Sequence, residues 1–275
     1  MASNPQGIVI EAGKTERHYW RDLWAYRELL LFLAWRDILV RYKQTAIGIA
    51  WSVIRPVLTM AVFTVVFGRI AKLPSQGVPY PVLVFAAMLP WNFFATAVSE
   101  GSNSLVQNAN IVSKVYFPRL IVPVSTVAVS LVDFLISLAL LAGLMLWYQV
   151  IPSPRAFLLP AFLLLVLAVT MGLTLWFAAL NVRYRDFRYV VPFLVQVGLF
   201  LSPVGFSSVV VPDAWRLVYA LNPMVGVIEG FRWCLIEGYR LNTDALALGT
   251  AMSLLILASG IVHFRRTERS IADII

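Results

Sequence analysis

The 275-residue chain is poor in charge and nearly free of thiols. Its one cysteine, Cys234, excludes an intramolecular disulfide and a CxxC metal motif, so the sequence carries no mark of a redox compartment. The two histidines, His18 and His263, have no HExxH or His/Cys spacing, which argues against a metal site. No GxxxxGKS/T loop is present to cradle a nucleotide phosphate, so this chain does not hydrolyse ATP in that way. There is no GxSxG elbow for a nucleophilic serine and no Asp-x-Asp pair to hold a metal–nucleotide sugar. The N-terminus lacks a short apolar core followed by small residues, so no cleavable signal peptide is expected.

What the chain has is apolar length. Hydrophobic residues make up 60% and charged residues 13%, with a mean hydropathy of +0.80. These values imply an integral membrane protein. Six spans are predicted, at 46–70, 81–100, 120–148, 156–180, 189–211 and 245–264. Each suffices for a hydrocarbon core of roughly 30 Å at about 1.5 Å per helical residue. Residues 1–45 then form an N-terminal segment, 46–264 the membrane domain and 265–275 a tail.

The net charge of +8 raises nucleic acid as a partner, but the distribution points to membrane topology instead. Fifteen of the 22 Lys and Arg fall on the side shared by the termini, six on the other, and Arg55 within a span. Both termini are therefore expected in the cytoplasm, with no nucleic-acid partner.

Before the first span, Trp20, Trp24, Tyr26, Trp35 and Tyr42 stand among Arg and Lys. Amphipathic rings and long cations favour the headgroup layer, so a helix lying on the membrane and turning into the first span is predicted. That span carries Arg55-Pro56, a charge and a kink.

Two connections are not plain loops. Residues 101–119 mix Leu105, Val106, Ile111, Val112 and Val115 with amides and hydroxyls. A helix docking into a partner's groove and a helix folded back on its own chain fit this composition equally. In residues 203–242, Pro212-Asp213 and Asn222-Pro223 each suit a helix start, and the second helix is expected to end at Gly238. Both pieces are too short and charged to cross. A re-entrant hairpin and a loop lying on the headgroups remain open.

Polar residues inside the spans require partners: Arg55 and Asp133 are candidates for a pair, with Glu100 near the end of span two and Gln196 in span five. Trp91, Phe93, Phe94, Trp176, Phe177 and Phe200 are candidates to line a channel where sugar faces stack on rings. Such rings equally fill helix interfaces and interfacial belts.

With these residues assembled, the chain resembles the permease subunit of ABC-2 type exporters, in the polysaccharide and polyol-phosphate branch that carries O-antigen, capsule or teichoic acid. The resemblance runs over about residues 29–264. It rests on the segment 35–48 with Trp51 and Arg55-Pro56, on Leu89-Pro90-Trp91-Asn92-Phe93-Phe94, on the stretches 110–119 and 181–188, and on Leu221-Asn222-Pro223-Met224.

It implies an all-α fold of six transmembrane helices, with an N-terminal amphipathic interface helix and a re-entrant pair of short helices before the last span. It implies a homodimer in a bacterial cytoplasmic membrane, with the pore between protomers lined by spans one, two and five. Two copies of a separate ATPase would carry ATP and Mg, leaving no cofactor on this chain. Gln107, Asn110, Ile111, Val112, Lys114 and Tyr116 would couple to that ATPase. Arg41, Lys43 and Arg55 would meet a lipid-linked glycan, and Trp215, Tyr219, Asn222 and Pro223 would guard the outer mouth. The alternatives are an ABC-2 permease for another cargo, such as teichoic acid, capsule, a small lipid or a drug, and a membrane-embedded transferase. The transferase would need the acidic site that the sequence lacks.

Overall fold

A computed structural model describes residues 19–43 and 48–274. Ala46, the expected start of the first span, lies outside the described residues, as do Lys14, Arg17 and His18. Among the described residues the chain is all-helical, with a lone bridge between Pro152 and Ile236 in place of any strand.

Its helices are α1 (Tyr19–Ala25), α2 (Arg27–Lys43), α3 (Gly48–Phe63, running on as a π-helical stretch Thr64–Ile70), α4 (Tyr80–Gln107), α5 (Ala109–Lys114) and α6 (Ile121–Trp147). A 3-10 turn at Pro154–Leu158 leads into α7 (Leu159–Arg183), followed by α8 (Phe187–Phe200), α9 (Asp213–Ala220), α10 (Pro223–Leu235) and α11 (Thr243–Ile274).

Among the described residues five stretches are long and apolar enough to cross a membrane: Ala50–Ile70, Tyr80–Gln107, Ile121–Trp147, Pro154–Arg183 and Thr243–Glu268. The stretch expected to cross at 189–211 behaves differently. Its helix, α8, has 14 residues and stops at Phe200, giving about 21 Å against a core of about 30 Å. Two causes end it. Pro203 disfavours a helical Ser202. The carbonyls beyond it are then taken by side chains: Arg232 donates to Val204 O at 3.1 Å and Phe206 O at 2.9 Å, and Tyr80 Oη to Gly205 O at 2.6 Å.

Helix α4 is apolar all round over 82–91, where every residue is buried, and lies at the centre. It packs against α6, α7 and α10. Helices α7 and α11 pack tightly, because Gly172 and Gly260 let the two backbones touch; a Cβ on Gly260 would lie 2.4 Å from Gly172 O. At the other end of the bundle a second apolar cluster joins Tyr19, Leu33, Leu105, Val112, Phe264 and Ile271. It ties α1, α2 and α5 to the last turns of α11.

Candidate functional site

A cleft of about 1040 Å³ opens between α3, α4, α6 and α8, with the last turn of α2 at one end. On α4, Asn92, Thr96, Ser99 and Glu100 line it, at spacings that put them on one helical face. On α6, Ser130, Asp133 and Ser137 do the same from the opposite wall. Two polar stripes thus share one cleft inside an apolar bundle. Trp51, Trp91 and Phe93 supply ring surface between them, and Gln196 adds an amide from α8.

The narrow polar stripes went unread in the sequence analysis, although their 3–4 residue spacing was present there. Hydropathy averaged over a span hides one polar residue per turn.

The charges concentrate at the α2 end. Arg41 forms ion pairs with both Glu100 and Asp133, and Tyr42 donates its hydroxyl to Asp133. Burial first, and that hydrogen bond second, push the Tyr42 hydroxyl above its ordinary range. Asp133 is therefore not the partner of Arg55, as one candidate pairing had it. Arg55 lines the same cleft with an exposed side chain. Asp133 sits about halfway along α6, and α2 packs along that helix, so the nest is part-buried in the cleft. Lys43, the last residue of α2, is exposed and outside the cleft lining.

The remaining candidate rings are spread out. Phe94 is buried, 5.3 Å from Trp91 between ring centres, and Phe93 meets Phe134 at 5.9 Å. Phe177 packs near Phe187, on the α7–α8 side. Trp176 stacks on His263 at 4.0 Å and donates to Ser259 Oγ at 3.1 Å, on the α7–α11 face away from the cleft lining. Phe200 is exposed at the end of α8.

The segment 101–119 divides its two faces. Val112 is buried in the second cluster with Ile111 packed beside it, whereas Gln107, Asn110, Lys114 and Tyr116 are exposed. The helix is folded back on its own chain by one face and leaves the other open. Arg36 Nη2 donates to Asn108 Oδ1 at 2.9 Å, and the Arg119 backbone N–H donates to Glu268 Oε1 at 2.7 Å. Helices α2 and α11 thereby grip the segment at both ends.

At the opposite end of the bundle α9 and α10 begin at Asp213 and Pro223. Asn222 caps α10 by accepting from Met224 N–H at 3.0 Å, and its amide donates to Ser202 Oγ at 3.0 Å. Trp215 is exposed on α9, Tyr219 half-buried and Pro223 partly covered.

Helix α10, left open between a re-entrant piece and a loop lying on the headgroups, is buried along nearly its whole length. Val227, Ile228 and Phe231 join the central core, and beside them stands Arg232. It is wholly buried and donates to Leu83 O at 3.1 Å as well as to Val204 and Phe206, so three backbone carbonyls satisfy one guanidinium. No spacing in the sequence reveals those partners.

Among the described residues no group of His, Cys, Asp and Glu is placed to hold a metal. The site can present hydroxyls, amides, rings and a few fixed charges to a long polar ligand.

Residues 28–236 match the family described as ABC-2 type transporter. The O-antigen export system permease protein RfbA of Myxococcus xanthus is 32% identical over 253 residues, covering 90% of this chain and 96% of that protein. A protein of the same name from Klebsiella pneumoniae is 24% identical over 249 residues, 90% of this chain and 95% of its own length. The polysialic acid transport protein KpsM of Escherichia coli is 24% identical over 247 residues, 87% of this chain and 93% of its own. A multi-pass helical bundle with a polar cleft, matched from α2 to the end of α10, belongs to the ABC-2 type transporter family.

Proposed function

We propose that this chain is the membrane-spanning permease subunit of an ATP-driven exporter that moves a lipid-linked polysaccharide, most simply of O-antigen type, across the bacterial cytoplasmic membrane. The observation that carries the reading is the pair of facing polar stripes on α4 and α6, with rings between them, inside an otherwise apolar bundle. Hydroxyl-rich polymers need weak, repeated hydrogen-bond partners and flat apolar surface, and the cleft offers both. The names of the relatives, O-antigen export permease and polysialic acid transport protein, support a glycan as cargo.

In this reading α8 completes six crossings in a thinned or locally covered layer, α9 and α10 form the re-entrant pair, and both termini face the cytoplasm. Helices α3 and α8 leave Trp51, Leu58, Val62, Phe193 and Phe200 exposed beside the cleft. A second copy of the chain would cover them and close the cleft into a pore. The open face of α5 meets one of two separate ATPase subunits, which hold ATP and Mg; this chain performs transport, not catalysis. ATP binding rocks α5, and through Asn108 and Arg36 the motion reaches α2 and the Arg41 nest. Arg55 and the basic end of α2 attract the phosphate-bearing lipid end of the glycan.

The test is co-purification with the candidate ATPase, followed by ATPase assays in lipid. A stable complex stimulated by a lipid-linked oligosaccharide supports the reading. A chain that binds no ATPase and turns over a sugar nucleotide overturns it.

A further inference from the structure

A second cavity, of about 500 Å³, lies between the end of α9, the middle of α10 and the loop leading into α11. It shares no lining residue with the cleft. Ser208, Arg216, Glu229, Tyr239, Arg240, Asn242 and Asp244 contribute its polar wall. Glu229 is only 1% exposed. One of its carboxyl oxygens accepts from Ser208, and the other, Oε2, has no hydrogen-bond partner among the described residues. The Tyr219 hydroxyl is likewise buried without a partner, and Glu229 and Tyr239 are among its electrostatic neighbours.

A buried carboxylate oxygen left open beside a cavity is rare in a folded protein and points to a ligand that completes it; Tyr219 itself is not part of the cavity lining. The wall decides the class of ligand. Glu229 and Asp244 accept, Arg216, Arg240 and the Asn242 amide donate, and Ser208 and Tyr239 do both. The two arginines disfavour a metal cation, and the two carboxylates that offset them disfavour an anion. A neutral polyol with neighbouring hydroxyls can donate to one group and accept from the next. The volume is in the range of about 300–1,000 Å³ that small-ligand sites occupy.

We propose that this cavity is a saccharide-binding subsite that holds a short segment of the glycan on the α9–α10 side of the bundle. The proposal rests on the glycan-exporter reading above. Glu229 accepts from one sugar hydroxyl through Oε2, and Arg240 donates to a neighbouring oxygen. Three residues further along α10, Arg232 clamps the carbonyls of Val204 and Phe206, so an occupied subsite braces the segment that follows α8.

The test uses the full-length chain in lipid nanodiscs and saturation-transfer NMR. The probes are methyl glycosides of glucose, galactose, mannose, rhamnose and N-acetylglucosamine, with calcium alone and phosphate alone as comparisons. At least one glycoside is expected to bind, with affinity falling at least tenfold in Glu229→Gln and several-fold in Asp244→Asn. Asp244 is exposed, so its variant tests the site even if Glu229→Gln misfolds.

Three results overturn the proposal: no glycoside bound, binding indifferent to both substitutions, or calcium or phosphate bound in place of sugars. A chain that exports glycan with its ATPase yet binds no glycoside here overturns the subsite alone. A chain that binds glycoside here but pairs with no ATPase overturns the exporter reading instead.

Discussion

Arg36 on α2 and Asn108 at the end of α4 are joined by a 2.9 Å hydrogen bond, although 72 residues separate them in sequence. Asn108 is the residue between α4, which lines the cleft, and the short helix α5, so the bond ties α2 to that junction.

Arg36→Met removes that tie at a cost of about 0.5–1.5 kcal/mol, the usual net worth of one hydrogen bond. The expected phenotype is a nearly normal unfolding midpoint, normal ATPase binding, and export that no longer follows ATP turnover. Export retained at the wild-type ratio to ATP hydrolysed would show that the bond transmits nothing.

The Arg41 nest predicts a compensating pair. Arg41→Met leaves Glu100 and Asp133 facing each other across a partly buried space. Discounted for its remaining exposure, the loss is about 1–2 kcal/mol. Asp133→Asn added to Arg41→Met relieves the repulsion, so the double variant unfolds at a higher temperature than Arg41→Met alone. Strictly additive midpoints in a thermal unfolding series would remove the nest as an interacting unit.

Arg232 makes a sharper claim about stability. Arg232→Met strands three backbone carbonyls, at about 3 kcal/mol or more in total. Arg232→Lys keeps the charge but not the planar fork that reaches three acceptors, so it rescues little. The measurement is the yield of monodisperse protein together with its unfolding midpoint. A lysine variant as stable as the wild type would mean that charge, not geometry, holds α10.

The polar stripes separate transport from folding. Thr96→Leu and Ser99→Leu place apolar side chains where a glycan would slide, at two partly exposed positions on the cleft face of α4. Cell-surface glycan measured by flow cytometry is expected to fall at least tenfold, with unchanged membrane levels of the protein. Normal surface glycan in the double variant would shift the pathway away from this cleft.

Much of this architecture could be read from residues in order. Long apolar runs announced the crossing helices, because lipid demands internally bonded backbone over that length. Asn222-Pro223 announced the start of α10, since a side-chain cap and a proline without an N–H both suit a helix's first turn. The mixed segment 101–119 was correctly ambiguous: Val112 explains its apolar half and Asn110 and Lys114 its polar half.

The rest depended on residues distant in sequence. Arg41 finds Asp133, and Arg232 finds Leu83, Val204 and Phe206, through tertiary approach alone. In sequence Arg232 stands only among the cations of the 203–242 connection, with nothing to mark it as buried. The same arginine, by capturing carbonyls beyond Pro203, also shortened the span that hydropathy had extended to residue 211.

Helix α11 has 32 residues, roughly 48 Å of unbroken rod. It begins near the second cavity and its last turns pack with Val112 of α5. Locked to α7 through Gly172 and Gly260, it acts as a spacer: a single rod reaches from the second cavity to α5 and joins the two ends of the bundle along the wall away from the cleft.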